Sequence, residues 1–171
     1  DGWWTTSVGG VQITPESIMT NIQFRHTLYA HWILKTATLT YLAEVHGAIE
    51  GDAEQVVPYG ECGLPVTAVP DTGHHFVLWD DDSDDNPRMD CYNTEPLTVT
   101  ASFTINQYTL TYAPGDYGTL SGYASQSVNH GGSGTAVEVF PNGGRTFVMW
   151  SDGVTSNPRT DTNVTANNSV T

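Results

Sequence analysis

The amino-acid sequence predicts a mainly β chain of tandem, small, β-rich repeat modules joined by extended junctions, with little helix. Three observations predict it. The chain repeats itself without a gap at an offset of 71 residues. Within each repeat, apolar and polar residues alternate between clusters of Gly, Pro and Asn, the pattern of short strands and turns. No window of a dozen residues carries helical periodicity with caps at its ends.

The repeat sets the boundaries. Thr38-Leu39-Thr40-Tyr41 returns as Thr109-Leu110-Thr111-Tyr112, and Gly47, Gln55, Gly63, Val66, Gly73, Phe76, Trp79, Pro87, Arg88 and Asp90 each meet the same residue 71 places later. The register also runs backward, because Ala30 and Trp32 fall on Ala101 and Phe103. Leu28 to Trp32 is therefore the closing strand of an earlier unit. The organisation that follows is a C-terminal half-repeat over 1–33, one full repeat over 37–104 and a second over 108–171.

Taken in order, Thr14-Pro15-Glu16-Ser17-Ile18-Met19 has Thr at a cap and Pro at the first helical position, enough for one turn. In the second full unit, Thr109 to Tyr112 alternates as a strand and Pro114-Gly115-Asp116 turns the chain. Thr119 to Ser121 and Gln126 to Val128 are short strands divided by Gly122, and Gly131 to Gly134 is a loop. Ala136 to Phe140 is a stronger strand, Pro141-Asn142-Gly143-Gly144 a hairpin turn, and Phe147 to Trp150 the segment expected to pair back. The junctions from Trp32 to Tyr41 and Phe103 to Tyr112 contain no Gly or Pro, so neighbouring units have a restricted relative orientation.

Composition narrows the function classes. Five Lys+Arg against nineteen Asp+Glu leave a formal charge of −14, which repels phosphate backbones and anionic membrane surfaces. Nucleic-acid binding and membrane insertion are excluded on that ground and on the lack of a long apolar run. The first residues lack the features of a signal peptide, so the reading is a soluble, already processed segment. Abundant Thr, Asn, Ser and Gly with a single lysine, Lys35, point to an extracellular setting.

Several motifs resemble the internalin B repeats of bacterial surface proteins, also called the Listeria–Bacteroides repeat. The N-terminal piece is similar through Asp1-Gly2-Trp3-Trp4-Thr5, Gly9-Gly10 and Thr27-Leu28-Tyr29-Ala30-His31-Trp32. The full units resemble a divergent branch through Tyr108 to Tyr112, the Val128 to Thr135 loop, Phe147-x-x-Trp150-Ser-Asp-Gly153 and Asn157 to Val164. The resemblance implies β-grasp-like modules strung along cell-surface proteins for adhesion, stalk extension or partner contact, with no catalytic residues. The first piece lacks the leading strand and helix of a full repeat, so neighbouring chains or a longer array are the alternatives for completing it.

The candidate sites are few. Phe76-x-x-Trp79 and Phe147-x-x-Trp150 recur as core, with Trp3 their counterpart in the first unit, whereas Trp4, Tyr92, Tyr117 and Tyr123 are left over for a ligand platform. Asp80-Asp81-Asp82-Ser83-Asp84-Asp85 is the densest charge. A solvated loop is its simpler reading and a calcium site on Asp80, Asp82 and Asp84 the alternative, for an EF-hand spacing fails at Asp85 and Cys91. Asn86-Pro87-Arg88 and Asn157-Pro158-Arg159, followed by Asp90 or Asp161, read as architecture in preference to a ligand site, with Asn-Pro fixing a turn and the Arg able to bond either backbone carbonyls or the nearby Asp. His74 and His75 are adjacent in a strand and face opposite ways, against a shared metal or acid–base role. Ser133 lacks a nucleophile-elbow context, so no catalytic residue is expected and no cofactor beyond the calcium alternative.

Cys62 and Cys91 align with Ser133 and Thr162, so they are present together in one unit and absent together from the other. That pairing predicts a Cys62–Cys91 disulfide closing a loop of roughly 30 residues, worth about 3 kcal/mol in loop entropy. Asn163-Val-Thr165 and Asn167-Asn-Ser169 are glycosylation sequons. The function expected is a non-enzymatic structural or adhesive repeat segment of a secreted or cell-surface protein. It would act as stalk, spacer or subunit of an extracellular assembly with neighbouring repeats or copies of itself. A carbohydrate- or host-protein-binding module is the alternative.

Overall fold

The computed structural model describes residues 2–17 and 25–171. Fourteen strands and no helix are found among them. In the N-terminal piece, β1 (Gly2–Trp4) lies between β2 (Gln12–Ile13) and β3 (Tyr29–His31), both antiparallel to it. The turn expected at Thr14 closes through the Ser17 amide donating to the Thr14 carbonyl, whereas Ile18 and Met19 lie outside the described residues.

The first full unit has a four-stranded sheet in the order β6-β4-β9-β8 and a two-stranded ribbon, β5-β7. Strand β4 (Thr36–Ala43) pairs antiparallel with β6 (Glu54–Pro58) and parallel with β9 (Leu97–Ile105), which pairs antiparallel with β8 (His74–Trp79). Strands β5 (Gly47–Glu50) and β7 (Thr67–Pro70) form the ribbon. The second unit repeats the plan with β12 (Ser125–Asn129), β10 (Gln107–Tyr112) and β14 (Asn168–Val170) in that order, beside the pair β11 (Gly118–Ser121) and β13 (Glu138–Pro141).

Alternation buries one face of each sheet against its ribbon. The two cores coincide through the repeat: Leu39, Tyr41, Val66, Ala68, Trp79 and Val99 in the first, and Leu110, Tyr112, Val137, Val139, Trp150 and Val170 in the second. Burial at the shared positions is nearly complete, and Phe76 and Phe147 pack half-buried against Trp79 and Trp150, which is the physical basis of the recurring Phe-x-x-Trp motif. Trp3 departs from this expectation. It sits opposite Ala30 as Trp79 sits opposite Ala101, yet it is 56% exposed, because no ribbon of the described residues covers that face.

The hairpin expected at Pro141 to Gly144 also differs. Gly143 and Gly144 do adopt positive φ, but Phe147 to Trp150 does not pair back onto Ala136 to Phe140, since β13 pairs with β11 instead. In the first unit the corresponding β8 leaves its turn to join β9, in the other sheet. The turn is thus a corner between sheets.

Candidate functional site

Both units are pinned by the same buried arginine cluster. Arg88 donates from Nη1 and Nη2 to the two carboxylate oxygens of Asp81, each at 2.7 Å, and from Nε and Nη2 to Asp90 at 2.8 and 2.9 Å. Arg159 repeats this with Asp152 at 2.8 and 2.7 Å, and reaches Asp161 at 2.7 Å from Nη2. Each guanidinium also lies over its tryptophan, 5.3 Å from the Trp79 centroid and 5.6 Å from that of Trp150. The Asp90 and Asp161 contacts follow the sequence expectation. Asp81, seven residues before Arg88, was legible only as the one aspartate of the acidic run that recurs in the second unit.

The cluster's electrostatics suit cohesion. Tyr41 donates its hydroxyl to Asp90 at 2.9 Å and Tyr112 to Asp161 at 2.6 Å; burial, and then the carboxylate that accepts, push both phenols well above their ordinary range. They stay protonated and cannot act as bases at neutral pH. The guanidinium hydrogen bonds hold Asp81, Asp152 and Asp161 below the usual carboxylate range, so all three remain acceptors. Asn86 and Asn157 continue the pinning, each accepting from and donating to the backbone of Ala68 or Val139 through its side-chain amide.

The remaining candidates are scattered. Cys62 and Cys91 are joined by a disulfide and face one another across an isolated bridge. Within the acidic run, Asp81 is taken by Arg88 and Asp80 accepts from the Thr100 amide. No group of three or more His, Cys, Asp or Glu that could hold a metal ion occurs among the described residues. Trp4 stacks on His31 at 4.8 Å, while Tyr92 and Tyr123 are exposed at separate loops. Of the four leftover aromatics, Tyr117 lines a hollow. That hollow, about 300 Å³, lies in the second unit between Tyr117, Phe140, Arg145 and Phe147, with the Arg145 guanidinium 3.5 Å above the Tyr117 ring. The Asn167 side-chain oxygen Oδ1 accepts from the Thr109 amide, and Asn163 has φ of 50°.

Sequence reasoning missed Asn106, the single residue between β9 and β10. Its amide donates to the Gly73 carbonyl and its carbonyl accepts from the His130 amide, both at 2.8 Å. Its side chain contacts His75 Nδ1 at 2.7 Å and the His74 carbonyl at 3.4 Å. Gly73, with φ of 81°, lies so close to the His130 ring that a Cβ there would overlap it. His74 in turn stacks on His46 at 4.3 Å. His74 and His75 thus lie at the junction, where the backbone of one residue, Asn106, ties the turn of one unit to the loop of the next. The signal available was only that a one-residue connection leaves no slack.

A duplicated sheet-and-ribbon unit with a buried Arg–Asp–Tyr–Trp pin and a locked junction defines a tandem structural repeat. The chain belongs to the divergent InlB B-repeat domain family, which matches residues 37–107 and again 108–171. This family is a bacterial repeat module of surface proteins and is typically non-catalytic. Neither a curated protein nor a solved structure matches the chain.

Proposed function

We propose that this chain is a load-bearing spacer of an extracellular bacterial surface protein, setting the distance and direction between whatever its ends carry. The observation that carries this reading is the junction at Asn106, where four polar contacts and the Gly73–His130 approach leave the two units little relative freedom. The saturated arginine pins support it, because their charged donors are spent inside each unit. The disulfide and the acidic surface agree with an oxidising, extracellular setting.

Small-angle X-ray scattering on the intact chain tests the reading. The expected profile fits one fixed arrangement of residues 37–171, and Gly73→Val broadens it by driving a side chain into His130. A wild-type profile that demands freely jointed units would overturn the proposal.

A further inference from the structure

The chain enters and leaves the first unit on neighbouring strands. Tension carried along the chain reaches this unit through Lys35, at the start of β4, and leaves it through Asn106, at the end of β9. These two strands lie side by side and parallel, paired from Leu39 with Leu97 to Ala43 with Ala101. In a parallel pair the start of one strand and the end of the other lie at opposite ends of the ladder. Pulling on Lys35 and Asn106 therefore drives β4 and β9 in opposite directions along their own axes. All five pairs take the load together, whereas a pair peeled from one end gives way one position at a time.

Both strands are also held on their outer edges. Strand β4 pairs with β6 along Thr36 to Thr40, and β9 pairs with β8 from Ala101 to Ile105, so neither slides without breaking a second ladder. The covered face resists as well. Leu39, Tyr41, Val99 and Ala101 are buried in one core, and Tyr41 donates its hydroxyl to Asp90, which Arg88 holds. A slip of β4 by one residue would turn its apolar set to the other face and draw Tyr41 out of the arginine pin. The disulfide lies off this path. Cys62 and Cys91, 29 positions apart, bracket β7, β8 and the pin residues Trp79, Asp81, Arg88 and Asp90. Once β4 and β9 part, tension passes from Cys62 to Cys91 through the sulfurs, and the enclosed loop carries none. The second unit, with Ser133 and Thr162 at these positions, has no such stop.

We propose that the first unit is a tension-bearing clamp with a covalent stop. The parallel ladder of β4 and β9 resists extension in shear, the Tyr41 hydroxyl latches β4 to the pin, and the Cys62–Cys91 bond limits the length released when the ladder yields. The proposal rests on the spacer reading for the source of the tension and adds what the spacer does under it.

Single-molecule force spectroscopy on the full chain, held by its two ends, tests it, with unchanged far-UV circular dichroism certifying each variant's fold. A phosphine reductant identifies the rupture of the first unit, because it should lengthen that event alone, by about 100 Å for the 29 positions it sets free. Handles moved to positions 35 and 95 pull the same two strands apart from one end. The rupture force should then fall severalfold, since one pair instead of five carries the load. At constant force along the chain, Tyr41→Phe should speed rupture by about tenfold, the effect of losing a hydrogen bond to a charged acceptor. Ile49→Val, in the ribbon and off the sheared ladder, should lower equilibrium stability yet leave the rupture rate within about twofold. Equal rupture forces along the two axes overturn the proposal, as does an event that reduction does not lengthen. So does a rate that Tyr41→Phe leaves unchanged or that Ile49→Val raises as much. The spacer reading fails separately, in the scattering profile of the unstrained chain, where freely jointed units would still leave this clamp whole within one of them.

Discussion

Replacing Arg159 by methionine removes the pin of the second unit while keeping most of the apolar stem that packs on Trp150. The guanidinium side chain is 3% exposed and its carboxylate partners Asp152 and Asp161 are 33% and 20% exposed. Breaking a buried pair on one side costs about 3–5 kcal/mol, because the carboxylates left behind lose their counter-charge and repel one another. Water reaches Asp152 readily, so the lower end, about 3 kcal/mol, is expected here. For a unit of this size that is a fall of roughly 12–24 °C in the melting temperature of the second unit. Differential scanning calorimetry reads it, with Arg88→Met as the matched perturbation in the first unit. The double variant Arg159→Met/Asp152→Asn should lose less than the sum of its single variants, since removing one stranded carboxylate relieves the other. A fall below about 4 °C for Arg159→Met would mean less than about 1 kcal/mol and would refute the pin as a source of cohesion.

Three further outcomes are expected. Because Asp152 and Asp161 are held below the ordinary carboxylate range by Arg159, their contribution is fully present above that range and drains as pH falls through their lowered values. The wild-type melting temperature should therefore drop between about pH 4 and pH 2 more steeply than that of Arg159→Met. Reducing the Cys62–Cys91 bond, or replacing both cysteines by serine, should lower stability by about 3 kcal/mol in the first unit while leaving the second transition in place, as urea unfolding followed by near-UV circular dichroism can check. Gly47→Ala should cost about 1–3 kcal/mol by crowding the Phe103 ring, with Phe103→Leu restoring part of the loss in the same background.

Much of the fold was legible because the chain states it twice. A gapless offset leaves only positions with a shared physical duty unchanged, and Leu39 with Leu110, Tyr41 with Tyr112 and Trp79 with Trp150 are those that end up buried. Alternation identified β10, β11 and β12 to within a residue or two. The error at Phe147 arose from the same local logic. A Pro-Asn-Gly-Gly turn between two apolar runs looks like a hairpin, but whether the second run pairs back or crosses to another sheet depends on β9, more than twenty residues further on in the first unit. No turn signal encodes that choice.

By itself the sequence determined the repeat, the strand-rich class, the core duty of Trp79 and Trp150 and the paired presence of Cys62 and Cys91, because periodicity and self-alignment are properties of one dimension. Only the tertiary structure decided that Asp81 rather than the whole acidic run has a structural duty, that Asn106 locks the units together, and that Trp3 lies open while Trp79 is closed. The reason is common to all three. Whether a side chain is satisfied, covered or left exposed depends on what other segments of the chain bring against it, and those distances are set only when the sheets and ribbons close over one another.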